Sequence, residues 1–239
     1  MNSYNPSYKI YQVEIKKITM ITPMMRRLTI DASGVPGFRE DRPGQWVKIF
    51  IRDEKNNLQP GRAYTVRNMD LTKGEIDVDF FLHNPSGPLS RWAANAKAGE
   101  YCHISSPHRS SGVTIAKHST DYFLAADDTG VPAVLSILEK LPETANAKVI
   151  LEVENKTEIQ PINSCAKVDL KWLYRSDYSY PALSELVISS IPDTPFEVFI
   201  AAESGEVKKI KNFLNNRQDL KKLSVSGYWK RGEKDYRDE

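Results

Sequence analysis

Two different rhythms of apolar and polar positions divide the chain. In the first half, short alternating runs recur between turn signals. Residues 8–15 alternate and are rich in β-branched and aromatic side chains, and runs at 28–30, 46–51, 62–67 and 75–82 follow in the same style. The punctuation is Gly34-Val35-Pro36-Gly37, Arg42-Pro43-Gly44, Gln59-Pro60-Gly61 and Thr72-Lys73-Gly74. Strands at this spacing predict an antiparallel barrel or sandwich. One helix interrupts them at 87–96, with Pro88 suited to a first helical position and Gly99 just past the end.

From about Asp121 the period changes. An apolar run at 122–126 leads through Asp127-Asp128-Thr129 into a helix over 131–141. Strands are expected at 147–153, 168–174, 196–202 and 223–229, with helices at 181–190 and 206–216. Alternating strands and helices predict a mostly parallel sheet covered on both faces. The change of rhythm places a boundary near 117–120, giving domains 1–118 and 119–239. The charged residues 231–239 are expected to fray.

Composition narrows the class. With 239 residues, 40% apolar and 27% charged, the chain is an ordinary globular protein rather than a disordered one. No run approaches the roughly 18 apolar residues of a spanning helix. The start is polar and lacks a signal-peptide layout. Cys102 and Cys165 make no disulfide framework and no metal spacing, so the cytoplasm is the expected compartment and no membrane role is expected. The net charge of +2 hides an asymmetry: residues 1–118 hold 17 Lys and Arg against 11 Asp and Glu, a surplus of six, while residues 119–239 hold 16 against 20. The basic half is too weakly and too diffusely charged for a nucleic-acid partner, but it suits a small anion.

Candidate chemistry begins on the strand at 62–67. Arg62, Tyr64 and Thr65 combine a guanidinium fork for phosphate, a ring able to stack on an isoalloxazine, and a hydroxyl for its polar edge. Alternation puts Arg62 and Tyr64 on one face and Thr65 on the other. The plain alternative is an amphipathic strand with surface arginines. Further on, Gly87-Pro88-Leu89-Ser90 opens a helix, and a helix start with a glycine and a hydroxyl is an anion site or simply a cap. His83, His103, His108 and His118 lack metal-ligand spacing and read as hydrogen-bonded or surface residues, and Trp46 and Trp172 as core.

In order and spacing, the Arg-x-Tyr-Thr strand and the Gly-x-x-Ser helix start resemble ferredoxin-reductase-type FAD domains. More narrowly, the chain resembles the siderophore-interacting proteins, FAD-dependent ferric-siderophore reductases. The resemblance rests on residues 62–67, Asp77-Val78-Asp79-Phe80-Phe81-Leu82-His83, Gly87-Pro88-Leu89-Ser90-Arg91-Trp92-Ala93, Ala126–Ala133, Ala201-Ala202-Glu203-Ser204 and Gly227-Tyr228-Trp229-Lys230-Arg231-Gly232. It implies a β-barrel plus α/β architecture: an N-terminal Greek-key-like FAD-binding barrel followed by a ferredoxin-reductase-type parallel α/β domain.

Residue by residue, the resemblance implies that Arg62, Tyr64 and Thr65 hold the flavin ring and phosphate, with backbone from Ala63 and Val66. Asp79, Phe80, Phe81 and His83 would line the ribityl and diphosphate path, and Gly87, Leu89 and Ser90 would take the diphosphate. Asp127, Asp128 and Thr129 would face the flavin and a nicotinamide nucleotide, with Ala202 and Glu203 at the same sheet edge and Tyr228 and Trp229 closing over the cofactor. Lys48, Lys230 and Arg231 are candidates for a basic pocket around an anionic ferric chelate, or else solvated surface charge. The implied reaction takes electrons from NAD(P)H or a ferredoxin, through FAD, to a ferric siderophore, releasing Fe(II), with no acid–base dyad and no protein-bound metal; a monomer is expected. Alternatives are a flavin oxidoreductase of the same fold with another acceptor, and a non-catalytic siderophore-binding module. The chain departs from the family in carrying Ala126 and Ala202 where glycine is common, and in ending soon after Tyr-Trp-Lys-Arg-Gly, where many relatives add a helix. No Gly-x-Gly-x-x-Gly occurs. These departures lean the expected donor toward a ferredoxin.

Overall fold

The computed structural model describes residues 9–115, 121–177, 179, 181–218, 220–233 and 236, without the side chains of 221–223. The chain divides into two compact units, Met1–Thr114 and Ile115–Glu239. Tyr8, His118, the expected boundary at 117–120 and most of the charged end lie outside the described residues.

The first unit is a closed barrel. Its strands are β1 (Ile10–Thr22), β2 (Met25–Asp31), β3 (Trp46–Phe50), β4 (Arg62–Asp70), β5 (Glu75–Phe81) and β6 (Tyr101–Ser105), with helix α1 (Pro88–Asn95) between β5 and β6. They close in the order β1-β2-β5-β4-β3-β6, every pair antiparallel. Because β2 pairs with β5 and not with β3, the connection over 32–45 makes the Greek-key jump. β1 exceeds the expected run, and its two register breaks at Ile15/Lys17 and Met20/Thr22 bend it around the barrel. β6 was not anticipated: a five-residue run with Cys102 and His103 has little strand propensity of its own, and its pairing with both β1 and β3 holds it.

Along β5 the alternation works as the pattern requires. Ile76, Val78 and Phe80 enter the core beside Leu28, Val47 and Ile104, while Asp77 and Asp79 take the opposite face. Helix α1 packs on the same core through Leu89, Ala93 and Ala96, spaced for one helical face. It ends at Ala96, and Gly99 supplies the positive φ of 87° that returns the chain toward β1. The Arg26 guanidinium donates to the carbonyls of Ala94 and Ala96, covering the negative end of the helix.

The second unit is a five-stranded parallel sheet in the order β11-β10-β7-β8-β9. Its elements are β7 (Asp121–Ala126), α2 (Val131–Leu138), β8 (Asn146–Val153), β9 (Lys167–Tyr174), α3 (Leu183–Ser190), β10 (Phe196–Glu203), α4 (Ser204–Leu214) and β11 (Leu220–Trp229). The chain runs outward from β7 through β8 to β9, then returns to β7's other side, so the strand order reverses between β7 and β10. In open sheets this switch point, at the carboxyl ends of the strands, is where ligands gather. β7 is buried along nearly its whole length and α2 on every side, as a central strand and a fully enclosed helix demand.

The switch point is closely packed. A methyl group added at Gly130 would stand 2.2 Å from the Ala201 carbonyl oxygen and under 3 Å from the Ala201 and Ala126 methyls. Gly130→Ala is therefore expected to cost about 1–3 kcal/mol by overpacking. Gly87→Ala, whose added methyl would meet nothing within 4 Å, is expected to cost about 1 kcal/mol or less. Denaturant titration of the two variants checks the difference.

Candidate functional site

In the barrel, β4 brings Arg62, Tyr64 and Thr65 to the β3 side. Arg62 and Tyr64 pair with the core residues Ile49 and Val47, which turns both toward the interior, whereas Ala63 and Thr65 pair with Lys48 and Trp46 on the other face. A bulge between Val66 and Asn68 then breaks the register with β5. The Tyr64 ring lies over Phe80 with centroids 4.3 Å apart, so its opposite face is the one able to meet a planar ligand; burial pushes its phenol above the usual range. Arg62 donates to the Gly61 carbonyl at 3.3 Å. The backbone N–H of Val66 donates to the Gln45 carbonyl at 2.7 Å and is thereby used within the barrel.

The start of α1 is different in kind. Gly87 is its N-cap in extended geometry, Pro88 contributes no N–H, and no side chain caps the first turn. The Ser90 hydroxyl is buried and reaches only the Phe81 carbonyl, at 3.4 Å. Leu89 is buried in the core, which leaves its backbone rather than its side chain to face a ligand.

Two residues expected along the ribityl and diphosphate path are committed elsewhere. Phe80 is fully buried and touches Tyr64 and Trp92, so its side chain is core. Asp79 receives a bidentate pair from its cross-strand partner Arg27, at 2.6 and 2.8 Å, and Thr29 donates to Asp77 at 2.6 Å beside it. Phe81 and His83 stack on one another with centroids 6.2 Å apart. Arg27 was missed in the sequence; its signal was the registered opposition of β2 and β5, because a buried carboxylate requires a facing cation.

At the carboxyl edge of the α/β sheet, Asp127 is nearly fully buried and saturated. Its Oδ1 accepts from the Thr129 N–H at 2.9 Å and the Thr129 hydroxyl at 2.6 Å, and its Oδ2 accepts from the Trp229 indole N–H at 2.7 Å. That last bond ties the end of β11 to the end of β7 across β10. The tie is made possible by a bulge, since Ala202 pairs with Gly227 and Glu203 with Trp229, leaving Tyr228 as the extra residue. Glu203 accepts from the N–H groups of Gly205 and Glu206 at 2.6 and 3.1 Å, and from the Arg231 N–H at 3.0 Å.

Asp128 pairs with Arg175, which also meets Glu152 at 2.8 Å and Glu154 at 3.3 Å. Burial pushes the Asp128 carboxyl up to about 7 against the pull of Arg175, and it raises Glu152 as well. Arg175 itself is held firmly charged by these carboxylates. It lies far from any recognised motif, and its signal in the sequence was the same need for a cation beside a buried acid.

The remaining expectations are divided between the two units or change role. Lys48 is a half-buried β3 residue of the first unit, while Lys230 and Arg231 follow β11 in the second, with Lys230 paired to Glu233. Trp46 and Trp172 are not core residues: Trp46 is half-buried and stacks on His108 at 5.1 Å, and Trp172 is half-buried on the edge strand β9, whose position exposes one face. His103 has its pKa lowered by burial and by Arg52.

Whether these residues fit an FAD diphosphate is tested at α1. An uncapped first turn, a buried hydroxyl and open space at Gly87 match what a diphosphate requires, so the site fits. Comparisons with known proteins identify the family of both units. The siderophore-interacting FAD-binding domain matches residues 14–60 and 53–111, and the siderophore-interacting protein model matches 119–232. The ferric vibriobactin reductase ViuB of Vibrio cholerae is 28% identical, over 89% of this chain and 86% of that one. A siderophore utilization protein from T. fusca superposes with a TM-score of 0.77 at 26% identity, covering 96% and 95% of the two chains. A ferredoxin-NADP+ reductase from Plasmodium falciparum shares the fold, with a TM-score of 0.68 at 16% identity over 90% and 95%. The chain thus belongs to the siderophore-interacting protein family, its barrel being that family's FAD-binding domain.

Proposed function

We propose that this chain is a cytoplasmic FAD-dependent ferric-siderophore reductase, drawing electrons from NAD(P)H or a ferredoxin-type protein and releasing Fe(II) from the chelate. The observation that carries this reading is the uncapped start of α1, where the barrel keeps an anion position open beside Gly87. When bound, FAD supplies the electron transfer itself. The protein's part is to bind, orient and screen. The amides of Leu89 and Ser90 and the Ser90 hydroxyl hold diphosphate, Arg62 adds a guanidinium, and the free face of Tyr64 meets the flavin ring. Asp79 keeps Arg27 fixed on the outer barrel wall, and Asp127 fixes Thr129 and Trp229. In the barrel unit, Lys48 contributes positive charge for an anionic ferric chelate. Both cysteines are free thiols, Cys102 buried in the barrel with its pKa pushed up to about 12, which accords with a reducing compartment. No helix among the described residues is long and apolar enough to cross a membrane.

Two predictions follow from these roles. The Arg62→Ala, Ser90→Ala double variant is expected to bind FAD at least about tenfold more weakly, as loss of a charge-assisted contact implies. Flavin absorbance after desalting reads this out, and full retention would contradict the placement. In the intact holoprotein, photoreduced without oxygen, ferric siderophore is expected to reoxidise the flavin and yield Fe(II) trapped by a chromogenic chelator; no reoxidation with any ferric siderophore rejects the reading.

Asp128 makes stability depend on pH. Its carboxyl titrates near 7 in the folded chain and near 4 when unfolded, so between those values the folded state binds more protons. Asp128 therefore subtracts stability progressively as pH rises from about 4 to about 7, and by a constant amount above that. Asp128→Asn is expected to gain on the wild type by about 1–3 kcal/mol across that window. Denaturant titrations at several pH values test this, and a pH-independent difference would count against it.

A further inference from the structure

The parallel sheet ends at β9, and among the described residues no strand pairs with its outer side. All of β9 pairs with β8 without a register break, and it holds no proline or glycine, so nothing in the strand blunts this edge. The N–H groups of Lys167 and of Arg175, just past the strand, donate to the Ala145 and Val153 carbonyls on the β8 side. In a parallel ladder this fixes the phase. Odd-numbered residues turn their backbone groups to β8, and Val168, Leu170, Trp172 and Tyr174 turn theirs outward. The side chains of Val168, Leu170 and Trp172 stand half-buried on one face, while Lys167, Asp169 and Lys171 are exposed on the other. Among the described residues none of these three charges has an ion-pair partner.

Lysines on an open edge ordinarily prevent association. Asp169, set between Lys167 and Lys171, changes that for one partner, a second copy of the chain. Two such edges meeting across a twofold axis run antiparallel, and outward-turned residues must face outward-turned residues. Centred on Leu170, the pairing sets Leu170 against Leu170, Val168 against Trp172 and Asp169 against Lys171, the last two contacts each made twice. The Asp169–Lys171 pairs then occupy the non-hydrogen-bonded positions, where facing side chains come closest. A centre at Asp169 sets that carboxylate against itself and Lys167 against Lys171, and a centre at Lys171 sets that lysine against itself. Centres at Val168 or Trp172 bring fewer residues of the strand into register. The charges therefore select the Leu170 register, which also joins the two apolar rows into one stripe. We propose that β9 is the contact edge of a homodimer, in which antiparallel β9 strands centred on Leu170 join the sheets of two copies into one. The contact lies on the flank of the sheet, apart from the carboxyl ends of its strands, and goes beyond the reductase reading.

The test is sedimentation equilibrium of the full chain as purified, at about 1–200 μM, a range that reports a dissociation constant typical of a small interface. The mass is expected to rise reversibly from that of one chain to that of two. Lys171→Asp, which sets Asp169 against a second carboxylate, and Asp169→Lys, which sets two lysines together, are each expected to raise the dissociation constant at least about tenfold. These two substitutions change the net charge in opposite directions, so weakening by both excludes an effect of net charge. The Asp169→Lys, Lys171→Asp double variant exchanges the partners and is expected to return the constant to within about threefold of the wild type. Far-ultraviolet circular dichroism verifies the fold of each variant. Hydrogen exchange of the wild type needs no variant: the outward amides of Leu170 and Trp172 are expected to exchange more slowly in concentrated than in dilute protein. A monomer at every concentration, as expected from the sequence, overturns the proposal. So does a dimer that the single substitutions leave unchanged, a double variant no tighter than the single ones, or β9 amides whose exchange is independent of concentration.

Discussion

The α/β unit depends on one carboxylate. Asp127 follows the central strand β7 and accepts three hydrogen bonds, from the Thr129 amide, the Thr129 hydroxyl and the Trp229 indole. The first two shape the turn into α2, and the third draws the end of β11 across β10 to the end of β7. A buried carboxylate is costly unless all its acceptor capacity is used, and here the partners come from both ends of the unit's sequence. The turn that this carboxylate shapes also determines why Gly130 must be glycine, because it sets α2's start directly against the Ala201 carbonyl. Helix entry, strand order and the position of the last strand therefore share a single anchor.

The same physics produces opposite results in the two units. A helix start exposes amides that seek a negative partner. In the barrel, Gly87 and Pro88 begin α1 without offering a side-chain acceptor, so the partner must come from outside the chain. In the α/β unit, Asp127 and Glu203 satisfy the equivalent groups from within. The family's FAD-binding domain is thus the unit with the open anion position, and the sheet of the other unit presents acids at the edge where an open α/β fold would ordinarily take a nucleotide.

The strongest patterns were legible in the sequence. Helix α1 could be read from Pro88, the Leu89–Ala93–Ala96 spacing and Gly99, because each signal there is local. β5 could be read from strict alternation. β6 could not, since Tyr101–Ser105 is a strand only because β1 and β3 leave it a place on both sides. For the site, sequence identifies which residues gather but not how they are spent. Asp79 and Phe80 stand in the right segment, yet one is consumed by Arg27 and the other by the core, and cross-strand partners are set by register, which no single run reveals. Arg175 was hidden for the same reason: it meets Asp128 only because β8 and β9 carry Glu152 and Arg175 to the same edge.

The charge asymmetry along the chain takes on a spatial meaning. The negative surplus of the second half is not a diffuse surface property, for Asp127, Asp128, Glu152, Glu154 and Glu203 all stand at the carboxyl ends of β7, β8 and β10. Arg175 neutralises only part of it, and burial pushes the Asp128 carboxyl upward despite that pairing. Concentrated at one edge, these acids act over a Debye length of about 8 Å at physiological ionic strength. The acids there oppose an approaching anion, offset in part by Arg175 and by Lys230 and Arg231 nearby. Net charge near zero for the whole chain conceals this, because electrostatic selectivity depends on where the charges stand relative to the helix starts.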